Sequence, residues 1–295
     1  MSLCPVCLIS EPSLKELSAH LVERAGQSDP GHIMWLNRNV TSRKLDTDGL
    51  SSKFSEIMRY SDLKRWFVDI FVRRFFGEPA HRFIRLMQKP TKELLAGYAI
   101  EHHHFLKQWV KSCAYILAKT DSEEVAQYEM ENMSTEYFGW NGLPSHHEYL
   151  LQMGEAAGIS REQILNSKPL GKTEDSIALW RRIARESHWL LILSAMHPLE
   201  LIANKRIRKY GGTYGYFDPS ILSDGSIPEA AARFLYQGYS ADQSHSEDAL
   251  EFISRYSQEL DMVEECQEIF LASVDAFDLY LLARIERGDL LKGKL

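Results

Sequence analysis

The feature that most constrains this chain is the return of apolar residues at intervals of three and four, bracketed by residues that start and stop helices. After Pro90-Thr91 this spacing runs through Leu94, Leu95, Tyr98, His102, Phe105, Trp109 and Ile116 and closes near Lys119-Thr120. Ser61-Asp62 opens another stretch, whose Leu63, Trp66, Phe67, Ile70, Phe71 and Phe75 mark one broad face down to Gly77. Ser13, with Glu16 three positions on, has the spacing of a capping box and predicts a helix over 13–25 stopped by Gly26.

The same grammar continues along the chain. Asp121-Ser122 restarts a helix that runs through Glu136 until Gly139, Gly142 and Pro144 break it. Ser145 then caps a helix carrying His147 and Leu150, which Gly158 ends, and Ser160 to Leu165 reads as a short helical turn. From Thr173 to Arg208 the pattern is nearly continuous, with Pro198 expected to kink it by removing a backbone donor. A Gly- and Tyr-rich connection at 211–218 precedes two last helices at about 228–256 and 258–287. Alternating strand patterns do not recur, so the expected architecture is an all-α bundle.

Its organisation follows from size and composition. With 295 residues, 44% of them hydrophobic, the chain can bury one large core. We expect a helical domain over 81–295 with an N-terminal helical extension, 1–80, packed on it. The 41 acidic and 34 basic residues are interspersed, giving −7 and no basic face that argues for nucleic acid. The stretch Lys205 to Lys209 reads as a solvated helix end. No apolar run reaches the roughly 20 residues that cross a bilayer, and MSLCPVCLIS lacks the form of a signal peptide. These features point to a cytoplasmic protein.

Cys4, Cys7, Cys113 and Cys266 are too few and too scattered for a disulfide framework. Cys4-Pro-Val-Cys7 is a lone CxxC with no second pair and no close pair of histidines downstream, so a zinc site there needs distant partners. The expected reading is a flexible terminus.

Asp242 and His245 stand three apart, on one face of a helix. Alone, such a pair is a surface hydrogen bond. Glu136, His147 and Glu200 lie on three further helical segments, and iron sites in bundles recruit carboxylates and imidazoles from several helices because one helix cannot surround a metal. Glu101-His102-His103-His104 looks like a metal tract, but successive helical residues point about 100° apart, so its imidazoles diverge.

Here the residues form a familiar pattern. Pro90 to Gly97, Glu131-Asn132-Met133-Ser134-Thr135-Glu136, Ser145-His146-His147-Glu148 and Gly154 to Ser160 resemble the heme-oxygenase-like superfamily. Within it, about residues 80–287 look most like the non-heme diiron oxidases and oxygenases, relatives of TenA and the pyrroloquinoline-quinone synthesis proteins. That resemblance implies a seven-helix core and a ligand order of Glu, His, Glu and HxxxDxxH. Matched by position, Glu136, His147, Glu200, Asp242 and His245 become metal ligands, with His146 an alternative to His147. Gly238 stands where the pattern has a further histidine, so the resemblance implies one or two Fe(II) ions rather than a firm pair. His197, Tyr239 or Gln237 could substitute.

The resemblance further implies O2 as co-substrate, with no catalytic residues beyond the metal ligands. It also implies a small amine, amino-acid-derived or fatty-acid-like substrate in a biosynthetic pathway, and a homodimer. Two other readings stand beside it: a metal-free TenA-like hydrolase or cofactor-synthesis enzyme using the same cavity, and a non-catalytic helical protein that binds a ligand or partner.

Overall fold

The computed structural model describes residues 2–39, 63–139 and 142–295, and the side chains of all of these except 37–39 and 239–245. The chain divides into two compact units between Trp66 and Phe67, upstream of the boundary at 80 that the sequence suggested.

The smaller unit begins with an antiparallel hairpin of β1 (Ser2–Leu3) and β2 (Ser10–Glu11), Ser2 opposite Glu11 and Leu3 opposite Ser10. Helix α1 (Leu14–Gly26) starts where expected because the Ser13 hydroxyl accepts the Glu16 amide. A turn through Ser28, whose φ of 65° is left-handed, leads to α2 (Pro30–Asn39). Cys4, Leu17 and Leu21 form a small buried core, with Val6, Leu14, Trp35 and Leu36 against it. The expectation of a flexible terminus at Cys4 and Cys7 is therefore corrected. The turn between the two strands is closed by hydrogen bonds from Cys4 N to Ile9 O (2.8 Å) and Leu8 N to Cys4 O (2.9 Å).

Helix α3 (Leu63–Phe71) runs into a π-helical turn, Val72–Phe76, followed by the short α4 (Arg82–Met87). Beyond it, seven helices of eight or more residues build the larger unit: α5 (Lys92–Lys119), α6 (Glu123–Tyr137), α7 (His146–Ala156), α9 (Gly171–Glu186), α10 (Trp189–Met196), α11 (Glu229–Glu259) and α12 (Val263–Leu291). The short α8 (Arg161–Leu165) joins α7 to α9. Thr91, Ser122, Ser145 and Ser160 cap their helices with side-chain oxygens, so the starts read from sequence are those that form. The all-α expectation holds; among the described residues the only strands are the two-residue pair at the N-terminus. No helix of the described residues is long and apolar enough to cross a membrane.

The stretch expected as one kinked helix over 173–208 is three pieces. The chain turns extended at Ser187, and the His188 side chain accepts the Leu190 amide to start α10 afresh. Pro198 then sits in the first turn of a 3₁₀ helix, His197–Ala203, where its missing N–H has no partner to lose.

Helix α12 is the centre of the larger unit and packs on α5, α9 and α10. Its crossing with α5 is set by a glycine pair. A Cβ on Gly97 would lie 2.5 Å from Arg284 O, and one on Gly288 would lie 2.8 Å from Glu93 O, so only glycine lets the two backbones meet. Trp180 of α9 is fully buried and donates its indole N–H to Ser273 Oγ at 2.8 Å, fixing α9 to α12.

Candidate functional site

A cavity of about 630 Å³, part of it open to solvent, lies among α5, α6, α7, α11, α12 and the 3₁₀ turn. Its polar wall carries Glu136, His146 and Glu200, and its apolar wall Phe105, Trp109 and Phe234. Glu136 comes from the last turn of α6 and His146 from the first residue of α7. The two side chains meet, with His146 Nδ1 3.2 Å from Glu136 Oε1. Glu136 Oε2 is buried without a hydrogen-bond partner among the described residues. A carboxylate oxygen so placed is costly unless a ligand meets it.

The structure thus brings Glu136 and Glu200 to one cavity and adds His146. His147 is turned away by the rotation of one helical residue: its Nε2 lies 2.9 Å from His103 Nδ1 and its ring stacks on Tyr137. Burial holds the His147 imidazole below its usual pKa. Gly238 lies in the cavity wall, and the α11 register puts positions 242 and 245 on its face, at i+4 and i+7. The side chains of Asp242, His245 and Tyr239 lie outside the described residues.

Beside the cavity is a second group that the sequence left unassembled. Cys113 of α5, Glu129 of α6 and His197 of the 3₁₀ turn are fully buried, and one ligand atom from each lies within 4.8 Å of the others. His197 Nε2 is 3.0 Å from Glu129 Oε1, and its Nδ1 meets the Tyr128 hydroxyl at 3.1 Å. Trp109 joins this group to the cavity, since it lines the latter and lies edge-on to the His197 ring. Burial pushes the Cys113 thiol well above its usual pKa, and the carboxylates of Glu129, Glu200 and Glu136 add to the shift. His197 was a named substitute; Glu129 was legible only as an acid in phase with Val125 and Tyr128.

Residues 101–104 diverge as helical geometry requires. Glu101 pairs with Arg287 at 2.6 Å, His103 meets His147, and His104 Nε2 meets Ser167 Oγ at 3.0 Å. His102 faces the cavity with Tyr98, Tyr216 and Arg284. The connection at 211–218 is thus part of the wall through Tyr216.

In the smaller unit the lone CxxC acquires its distant partners. Cys7 Sγ lies 3.2 Å from His20 Nε2, and Cys4 Sγ lies 3.5 Å from His32 Nε2. All four ligand atoms fall within 4.8 Å of one another. His20 comes from the exposed-to-buried edge of α1 and His32 from the first turn of α2. Each imidazole has a carboxylate on its other nitrogen: Asp29 Oδ1 is 2.7 Å from His32 Nδ1, and Glu11 Oε1 is 3.4 Å from His20 Nδ1. That pairing directs both Nε2 atoms at the sulfurs and is the usual outer support of a histidine-bound metal. Burial pushes the Cys4 thiol up to about 11.

Comparison with known proteins gives the two units separate relatives. Residues 73–287 match the TENA/THI-4/PQQC family, and residues 1–59 match a C2H2 type zinc-finger model in one copy. A curated 4-aminobenzoate synthase of Chlamydia pneumoniae is 24% identical over 133 residues, 45% of this chain and 58% of that protein. The match therefore spans little more than half of that relative. Among solved structures, a heme-oxygenase-like domain of unknown function from Shewanella denitrificans superposes with a TM-score of 0.57 at 18% identity, covering 85% of this chain and 97% of that one. A TenA homolog from Pseudomonas syringae gives 0.55 at 13% identity, with 80% and 92% covered. The fold of the larger unit is heme-oxygenase-like.

Proposed function

This chain belongs to the TENA/THI-4/PQQC family, whose members are generally enzymes, and from that premise we propose that its helical domain is an iron-dependent oxidase or oxygenase acting on a small molecule. The observation that carries the proposal is the convergence of Glu136, Glu200 and His146 on one cavity, with a Glu136 oxygen left without a partner among the described residues. Two carboxylates and an imidazole in a half-enclosed space suit a divalent iron that keeps open positions. Asp242 and His245, on the face of Gly238, complete the proposed ligand set, and Glu129 with His197 stands ready for a second ion.

Bound iron would supply the activation of O2. The chain's own residues do the rest. Glu136 Oε1 and His146 Nδ1, 3.2 Å apart, stand at the spacing of two neighbouring ligands of one ion. Phe105, Trp109 and Phe234 keep water from the open positions, and Gly238 leaves that wall without a side chain, making room for substrate. The similarity to a 4-aminobenzoate synthase and the family as a whole support a role in cofactor biosynthesis. The second reading, a metal-free TenA-like enzyme using the same cavity, would have to work without a cysteine there, since none of the described residues lining it is a cysteine.

The test is to load the protein with Fe(II) under nitrogen, mix it with O2 and follow absorbance by stopped flow. Transient absorbance that disappears in Glu136→Ala and Glu200→Ala is expected. A wild-type protein that stays colourless and metal-free sinks the proposal.

For the smaller unit we propose a single zinc held by Cys4, Cys7, His20 and His32. Four protein ligands close the coordination sphere, so the role is structural.

A further inference from the structure

Arg284 lies on the buried face of α12, 2% exposed, in the wall of the cavity. Its guanidinium is always charged, yet no carboxylate of the described residues comes within 4.0 Å of it. What surrounds it is neutral. Its Nη2 meets His102 Nδ1 at 3.0 Å and the Tyr280 hydroxyl, and its Nη1 meets the Tyr216 hydroxyl at 3.4 Å. The rings of Tyr98, Tyr280 and Phe83 stand 3.9, 4.4 and 5.1 Å from its carbon. Burial keeps Tyr216 and Tyr280 protonated and His102 uncharged at neutral pH. Nε has no hydrogen-bond partner among the described residues. These groups solvate the cation through hydrogen bonds and π faces without cancelling it. A full positive charge retained inside a protein, in the wall of a cavity, is an anion site in search of its anion.

We propose that Arg284, with Tyr98, Tyr216 and His102 around it, binds the carboxylate of a small, mostly apolar monocarboxylic acid. One guanidinium balances one negative charge. A phosphate would bring nearly two charges into a cavity that already holds Glu136 and Glu200. The apolar body of the acid has Phe105, Leu106 and Phe234 to lie on. Phe234 also fixes where the body goes, because its ring meets His146 on one side (5.0 Å) and Tyr98 on another (5.5 Å). A carboxylate on Arg284 therefore lays the molecule along Phe234 toward Glu136 and His146. The inference deepens the oxidase reading by naming its substrate class, but it requires no metal.

Isothermal titration of the full chain tests it, with benzoate against benzamide and octanoate against octanamide as probes. The protein is used under nitrogen with Fe(II), without it, and as the double variant Glu136→Gln/Glu200→Gln, which removes the proposed iron ligands. The acid is expected to bind about tenfold or more tightly than its amide in all three, and the preference is expected to vanish in Arg284→Gln. Arg284→Lys guards against a variant that fails to fold: keeping the charge, it should keep a reduced preference. Acid and amide binding equally, or neither binding, overturns the proposal, as does a preference confined to iron-loaded wild type, which would belong to the metal. A preference that survives without iron stands even if the oxidase reading fails.

Discussion

The two units assemble similar side chains to opposite ends. In the smaller one, two cysteines and two histidines face inward with carboxylates behind the imidazoles, so the set is closed and no atom is left for a substrate. In the larger one, Glu136, His146 and Glu200 line a cavity that remains open. The difference follows from core size. Among the described residues of the smaller unit the buried apolar cluster is Cys4, Leu17 and Leu21, a small core that a bound metal would staple. The helical unit has Trp180, Tyr280 and a group of phenylalanines fully buried, and can leave polar groups exposed to a ligand without losing its fold.

The largest effect should come from removing the staple. Binding of structural zinc is worth roughly 10–16 kcal/mol, more than such a core can replace. Cys7→Ser is expected to abolish protease protection of residues 2–39 while the helical unit keeps its unfolding temperature. Loss of both together would break the contrast. In the opposite direction, Trp180→Ala should cost the helical unit about 3–5 kcal/mol in denaturant unfolding and leave zinc content unchanged.

Smaller effects sharpen the comparison. Asp29→Asn removes the carboxylate behind His32 and should weaken zinc binding about 10–100-fold in chelator competition; an unchanged affinity would leave Asp29 as a mere helix cap. In the helical unit, burial lowers His103 to about 3 and His104 to about 4. Both are neutral when folded and take up a proton when unfolded, so the stability they support is present above the unfolded value of about 6.5 and lost as pH falls toward 4. His104→Gln should flatten the fall in melting temperature across that window, and an equal slope would contradict the shift.

Most helices were legible because their starts are chemical: Ser13, Thr91, Ser122, Ser145 and Ser160 each supply an oxygen to a free amide. The break at Ser187 was hidden, since a histidine acting as cap has no strong signature. Glu136 and Glu200 could be placed from the family pattern, but which of His146 and His147 faces the cavity depends on the rotation of α7 about its axis, which the sequence does not fix. The histidine partners of Cys4 and Cys7 escaped because eleven residues separate His20 from His32 and the two stand on different helices, with the left-handed turn at Ser28 between them. Arg284 carried a faint sign, a charge in phase with Phe277, Tyr280 and Leu281 on an otherwise apolar face.

The most direct test of two metal sites with different purposes is metal content by inductively coupled plasma mass spectrometry, after anaerobic Fe(II) loading, of wild type, Cys7→Ser and Glu136→Ala/Glu200→Ala. The account predicts zinc lost only from Cys7→Ser and iron lost only from the double variant. Iron absent from the wild type, or both metals lost from either variant, would contradict it.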